Sequence, residues 1–149
     1  MGITFESNYR ITLGVNVFIK NIELFDGEIA TLSFWDICEK ETFKFFRKSL
    51  YRGAMGAVIA FDLSDAECYR AVKDQIKEIH EELITKIPYV LIGVDKGKID
   101  ESLDLTNIKR DTEENGGIFI ELSDYSDEIF IDALTEMTQK IVNSKMVMH

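Results

Sequence analysis

From Ala54 to Phe61 the chain reads Ala-Met-Gly-Ala-Val-Ile-Ala-Phe, an apolar run with no polar alternation. A strand without a polar face must be covered on both sides, which is the habit of parallel sheets. Asp62 ends the run, and Ser64-Asp65-Ala66-Glu67 then offers a Ser-x-x-Glu capping box for a helix. Upstream, Leu32, Phe34 and Trp35 belong to an apolar strand that stops at Asp36. Phe43, Phe46 and Leu50 follow at spacings of three and four, which puts them on one helical face. Tyr51-Arg52-Gly53 closes that helix. Strand, crossing helix, buried strand and capped helix make the middle of an α/β domain built on a mostly parallel sheet.

The flanks extend the pattern. Ile11 to Leu24 and Glu28 to Trp35 read as antiparallel strands joined at Phe25-Asp26-Gly27, because Asp-Gly is a strong hairpin signal. Val15, Val17 and Ile19 alternate with Phe18, Lys20 and Ile22. Beyond the central stretch, Cys68, Val72, Ile76, Ile79 and Leu83 form one stripe of a helix from Asp65 to about Ile84. His80 falls beside that stripe and reads as a helix-surface residue. Pro88 opens another buried strand, Tyr89 to Gly93. A short helix near Thr106 to Glu114 stops at Asn115-Gly116-Gly117. Ile118 to Glu121 is the last strand, and a final helix from about Asp127 carries Phe130, Leu134, Met137 and Ile141.

The 149 residues suit one domain spanning 1–149, since no repeat or linker interrupts them. A net charge of −10 argues against a nucleic-acid backbone or an anionic membrane surface as partner. Cys38 and Cys68 make no disulfide framework and read as small buried hydrophobes in a reducing, cytoplasmic setting. No apolar run is long enough to span a bilayer, and no C-terminal cysteine offers a prenyl anchor, so a stable membrane anchor is not expected.

Trp35-Asp36 through Glu41 resembles the second switch of Ras-superfamily small GTPases, whose pattern there is W-D-T-A-G-Q-E. Tyr51-Arg52-Gly53-Ala54, with the strand ending at Asp62 and Ser64-Asp65, resembles the Rab branch. Thr12-Leu13-Gly14-Val15 resembles the T-I-G-V at the end of the first switch. The resemblance implies a P-loop-GTPase-like (Ras-like) three-layer α/β sandwich with an N-terminal antiparallel hairpin. It covers the chain from the first switch to the final helix. The family's strand, phosphate loop and helix that precede the first switch have no counterpart here, so they are expected to be absent. The centre of the sheet would then lie open. Direct pairing of Thr31–Trp35 with Gly56–Phe61 is expected to close it into a sheet contracted to five strands. Strand exchange in a homodimer through the missing-strand gap is the alternative.

Nucleotide motifs depart from the family pattern. Thr12 and Asp36 match its first-switch Thr and Mg²⁺-linked Asp, as vestigial positions. Glu39 stands where a Gly N–H would meet phosphate; a carboxylate about 4 Å from phosphate costs on the order of 4 kcal/mol at an effective dielectric near 20. Glu39-Lys40-Glu41 also reads simply as a solvated crossing, with Lys40 in place of the water-orienting Gln. Val94-Asp95-Lys96-Gly97 replaces N-K-x-D, and Ser123-Asp124-Tyr125 replaces S-A-K. Gly93-Val94-Asp95-Lys96-Gly97-Lys98 is a poor phosphate loop, one residue short and followed by Ile99. No Cys/His metal spacing and no catalytic constellation stand out.

These departures lead to the expectation of a Rab-like pseudo-GTPase: no enzyme, no catalytic or metal residues, and no GTP, GDP or Mg²⁺ as cofactor. The alternative is a true Rab-like GTPase represented by an N-terminally truncated chain. What the resemblance retains is the apolar triad through which Rab proteins meet partners, at Val17, Trp35 and Leu50. These are expected to form a protein-interaction patch on the switch and interswitch surface. Equally open is a helix folded down over Trp35, which would carry all three into the core.

Overall fold

A computed structural model describes residues 15–37, 44–123 and 127–147. Two strands open it, β1 (Val15–Glu23) and β2 (Ile29–Ile37), in an antiparallel hairpin with Val17 opposite Trp35 and Ile22 opposite Ala30. Gly27 supplies the turn's positive φ of 85°, and Leu24 N donates to Glu28 O at 2.8 Å. The helix α1 (Lys44–Tyr51) leads to β3 (Ala57–Asp62), then α2 (Ala66–Glu82) and β4 (Tyr89–Val94). Next come α3 (Leu105–Glu114), β5 (Gly117–Leu122) and α4 (Asp127–Val147). Strands β3, β4 and β5 form a parallel sheet in that order.

Helices cover this sheet on both faces, as its unalternating strands require. On one side Ile59, Phe61, Tyr89, Leu91 and Phe119 pack with Val72 and Ile79 of α2 and Ile108 of α3. On the other, Val90 and Ile92 pack with Ala133, Leu134 and Met137 of α4. Leu63, Val90 and Leu134 are completely buried, each contributing about 1.5–3 kcal/mol of hydrophobic stabilisation. Gly117 is required by packing: a Cβ there would meet Tyr89 Cζ at 2.5 Å and Thr112 Cγ2 at 2.7 Å. The α/β class, the five strands, the hairpin and the α4 stripe agree with the sequence reading.

Three details differ. First, the expected single five-stranded sheet does not form: the hairpin is a separate two-stranded sheet, and no ladder joins β2 to β3. Side-chain burial decides this. Ile22, with Leu32 and Phe34 of β2, packs into the cluster that holds Leu134 and Met137, so α4 rather than β3 seats the hairpin. Ala60 of β3 is exposed, so water reaches that strand and its edge need not be buried unpaired. Second, α2 is capped by Asp65, whose carboxylate accepts from Glu67 N, while the Ser64 hydroxyl donates to Asp62. Third, α1 buries residues that lie off the Phe46–Leu50 stripe. Its buried residues are Arg47 and Tyr51, whereas Phe46 is 41% exposed and Leu50 half-buried.

Candidate functional site

Two surfaces gather the residues that sequence reasoning selected. The first is the outward face of the hairpin. Strand alternation sends Ile22, Leu32 and Phe34 toward α4 and leaves Val17, Ile19 and Trp35 on the opposite side. Val17 and Trp35 sit directly opposite each other across the ladder, 42% and 55% exposed, with Ile19 alongside at 76%. The indole Nε1 of Trp35 donates to Ser33 Oγ at 3.1 Å, which fixes the ring on this face. Register therefore joins two of the three residues expected to form an interaction patch. Leu50 is on α1, half-buried, and the strand register does not bring it to the other two. Phe45, which sequence reasoning passed over, is 91% exposed on α1. It lies off the helical face that the spacing of Phe46 and Leu50 picks out, which hid it.

The second surface is the carboxyl edge of the parallel sheet, where open α/β sheets bind ligands. Asp62, Val94 and Leu122 share one rung there. Asp62 Oδ1 accepts from Ser64 N at 2.9 Å and Ser64 Oγ at 2.7 Å, and its Oδ2 meets Lys96 Nζ at 2.9 Å. The two Ser64 hydrogen bonds, then Lys96, hold its pKa down at about 2. In the loop after β4, Asp95 Oδ1 accepts from Gly97 N at 2.8 Å, and Asp95 N donates to Leu122 O at 2.8 Å. Gly97 has φ 101°, so the loop is a tight turn closed by its own carboxylate. Asp100 accepts from Ser102 N, Ser102 Oγ and Ala66 N, bonds that lower its pKa and tie this loop to the start of α2. Gly93 lies inside β4, where a Cβ would meet Leu63 Cδ2 at 2.8 Å. It is a packing glycine, not part of a phosphate loop.

Asp36 is exposed near the end of β2. Thr12, Glu39 and Lys40 lie outside the described residues. Among the described residues no group of three or more His, Cys, Asp or Glu side chains is arranged to hold a metal ion. None of the described helices is long and apolar enough to cross a membrane.

Sequence reasoning missed Arg47. Its guanidinium, almost fully buried, reaches from α1 to Glu78 on α2, with Nε–Oε1 and Nη2–Oε2 both 3.3 Å. Lys48 Nζ meets Glu82 Oε1 at 3.1 Å, and Arg52 approaches Glu82 at 4.0 Å. Burial and the Glu78 charge push the Tyr51 phenol above its ordinary pKa, against the opposing pull of Arg47.

Comparison with known proteins places these surfaces in a wider setting. The Ras family profile matches residues 1–143. The chain is 34% identical over 90 residues to "GTP-binding protein YPT1" of Saccharomyces cerevisiae, covering 60% of this chain and 43% of that protein. It is 30% identical over 99 residues to "Ras-related protein RABE1d" and "Ras-related protein RABE1e" of Arabidopsis thaliana, covering 66% of this chain and 45% and 44% of theirs. Each match thus spans less than half the length of the relative. These findings overturn two expectations drawn from the sequence: that the chain is no enzyme, and that it takes no GTP, GDP or Mg²⁺. Those exclusions rested on several altered motifs taken together and on where the sequence begins. Neither outweighs a family match across nearly the whole chain.

Proposed function

Because this chain belongs to the Ras family, we propose that it is a Rab-like small GTPase that binds GTP or GDP with Mg²⁺, hydrolyses GTP, and docks proteins on its hairpin face. The observation that carries this reading is the family match over residues 1–143, with Rab and Ypt relatives at 30–34% identity. Asp36, at the end of β2, is the described carboxylate suited to the water shell of the metal. The Asp62–Val94–Leu122 edge is the one suited to flank the base. Mg²⁺, when bound, supplies neutralisation of phosphate charge. No catalytic step is assigned to any described residue. A ligand that binds only the folded state raises its stability by mass action. GDP with Mg²⁺ is therefore expected to give a saturable rise in Tm that ADP does not reproduce, and GTP is expected to release phosphate. No shift at millimolar GDP overturns the reading.

The docking part of the proposal rests on Val17 and Trp35, opposed and exposed, with Leu50 as the third contact. Buried aromatic anchors dominate such interfaces, so Trp35→Ala is expected to weaken a complex by at least about 2 kcal/mol. Leu50→Glu is expected to abolish binding with the fold intact. If that variant unfolds, its half-buried side chain belongs to the core and not to the interface.

A further inference from the structure

Helix α1 spans only Lys44–Tyr51, two turns, too short to hold its conformation without tertiary support. One apolar side chain of α1, Tyr51, enters the fully buried core; the other residue it buries is Arg47. Arg47 is met by both oxygens of Glu78, and one turn further along α2 Glu82 receives Lys48 and Arg52. The Arg47 and Glu78 side chains are 7% and 18% exposed, so water screens this pair far less than the ion pairs along the outside of α2. A planar guanidinium held at two points also has direction, which an apolar contact lacks. The seam is not fully satisfied: Arg47 Nη1 and Tyr51 Oη find no hydrogen-bond partner among the described residues. Packing alone would not keep a charged group in such a seam.

We propose that the Arg47–Glu78 pair, seconded by Lys48 and Arg52 on Glu82, is a clasp that pins α1 to α2 and sets its rotation, so that Phe45 and Phe46 are displayed as a fixed part of the surface. Arg47 and Glu78 are positioning residues. The inference does not depend on nucleotide, and its test uses none.

Amide hydrogen exchange of the full chain reads the clasp directly. Removing one partner of a largely buried pair strands the other, so Glu78→Gln is expected to speed exchange across 44–51 by roughly tenfold or more, with β4 unchanged. The exchanged pair, Arg47→Glu with Glu78→Arg, is expected to restore most of the protection, a rescue that a merely space-filling role would not give. Should Glu78→Gln fail to fold, Lys48→Gln with Glu82→Gln tests the more exposed half and is expected to speed the same segment by a smaller factor. Unchanged exchange over 44–51 in the variants that fold overturns the proposal. So does an equal rise in β4, or an exchanged pair that stays as loose as Glu78→Gln.

Discussion

The parallel sheet and the hairpin use the same kinds of residue to opposite ends. In β4 every residue from Tyr89 to Gly93 is buried, and Leu91 and Val90 have almost no surface left. In the hairpin, Ile19 is 76% exposed and Trp35 55%. On neighbouring α1, Phe45 is 91% exposed. Apolar area hidden from water stabilises the fold, whereas apolar area left on one face is available to a partner. The contrast separates the apolar area that this chain buries from the apolar area that it leaves exposed.

Substitutions graded from one region to the other test that division. Leu134 is fully buried where α4 joins the hairpin to the sheet, so Leu134→Ala is expected to cost about 3 kcal/mol in denaturant unfolding. Gly117→Ala forces a methyl against Tyr89 and Thr112, both buried, and is expected to cost about 2 kcal/mol. Asp62 gives a smaller effect, confined to acid. Its folded pKa of about 2 lies below the ordinary 3.8, so its stabilisation is present above pH 4. As pH falls from about 4 through 2 that contribution is lost, and Asp62→Asn is expected to flatten the stability profile within that window. Ile19→Thr is expected to change stability by no more than about 0.5 kcal/mol. A large loss there would mean that the hairpin face is core and would dissolve the comparison.

The two regions were also unequally legible. The run Ala54–Phe61 declared a strand of the parallel sheet because no polar residue interrupts it, although β3 is Ala57–Asp62 and leaves Ala60 exposed, and Asp26-Gly27 placed the hairpin turn. The α4 stripe was readable from Phe130, Leu134, Met137 and Ile141. All three are local patterns. Pairing between β2 and β3 is not local: nothing within either strand records that α4 would take the inward face of the hairpin. Arg47 escaped for a similar reason, since its partner Glu78 stands thirty-one residues away. Periodicity favoured Phe46 and Leu50, and a charged pair overruled it. At the sheet edge the motif departures were plain, but they could not outweigh kinship that resides in the whole chain.

The sole tryptophan, Trp35, adjoins Asp36, so its emission watches both the display face and the proposed metal-side carboxylate. The most direct measurement is a fluorescence titration of the full chain with GDP and Mg²⁺ beside an ADP control. A saturable change with GDP and none with ADP is the predicted result. A flat response to GDP up to millimolar concentration, with no accompanying rise in Tm, would contradict the proposal that this chain binds guanine nucleotide.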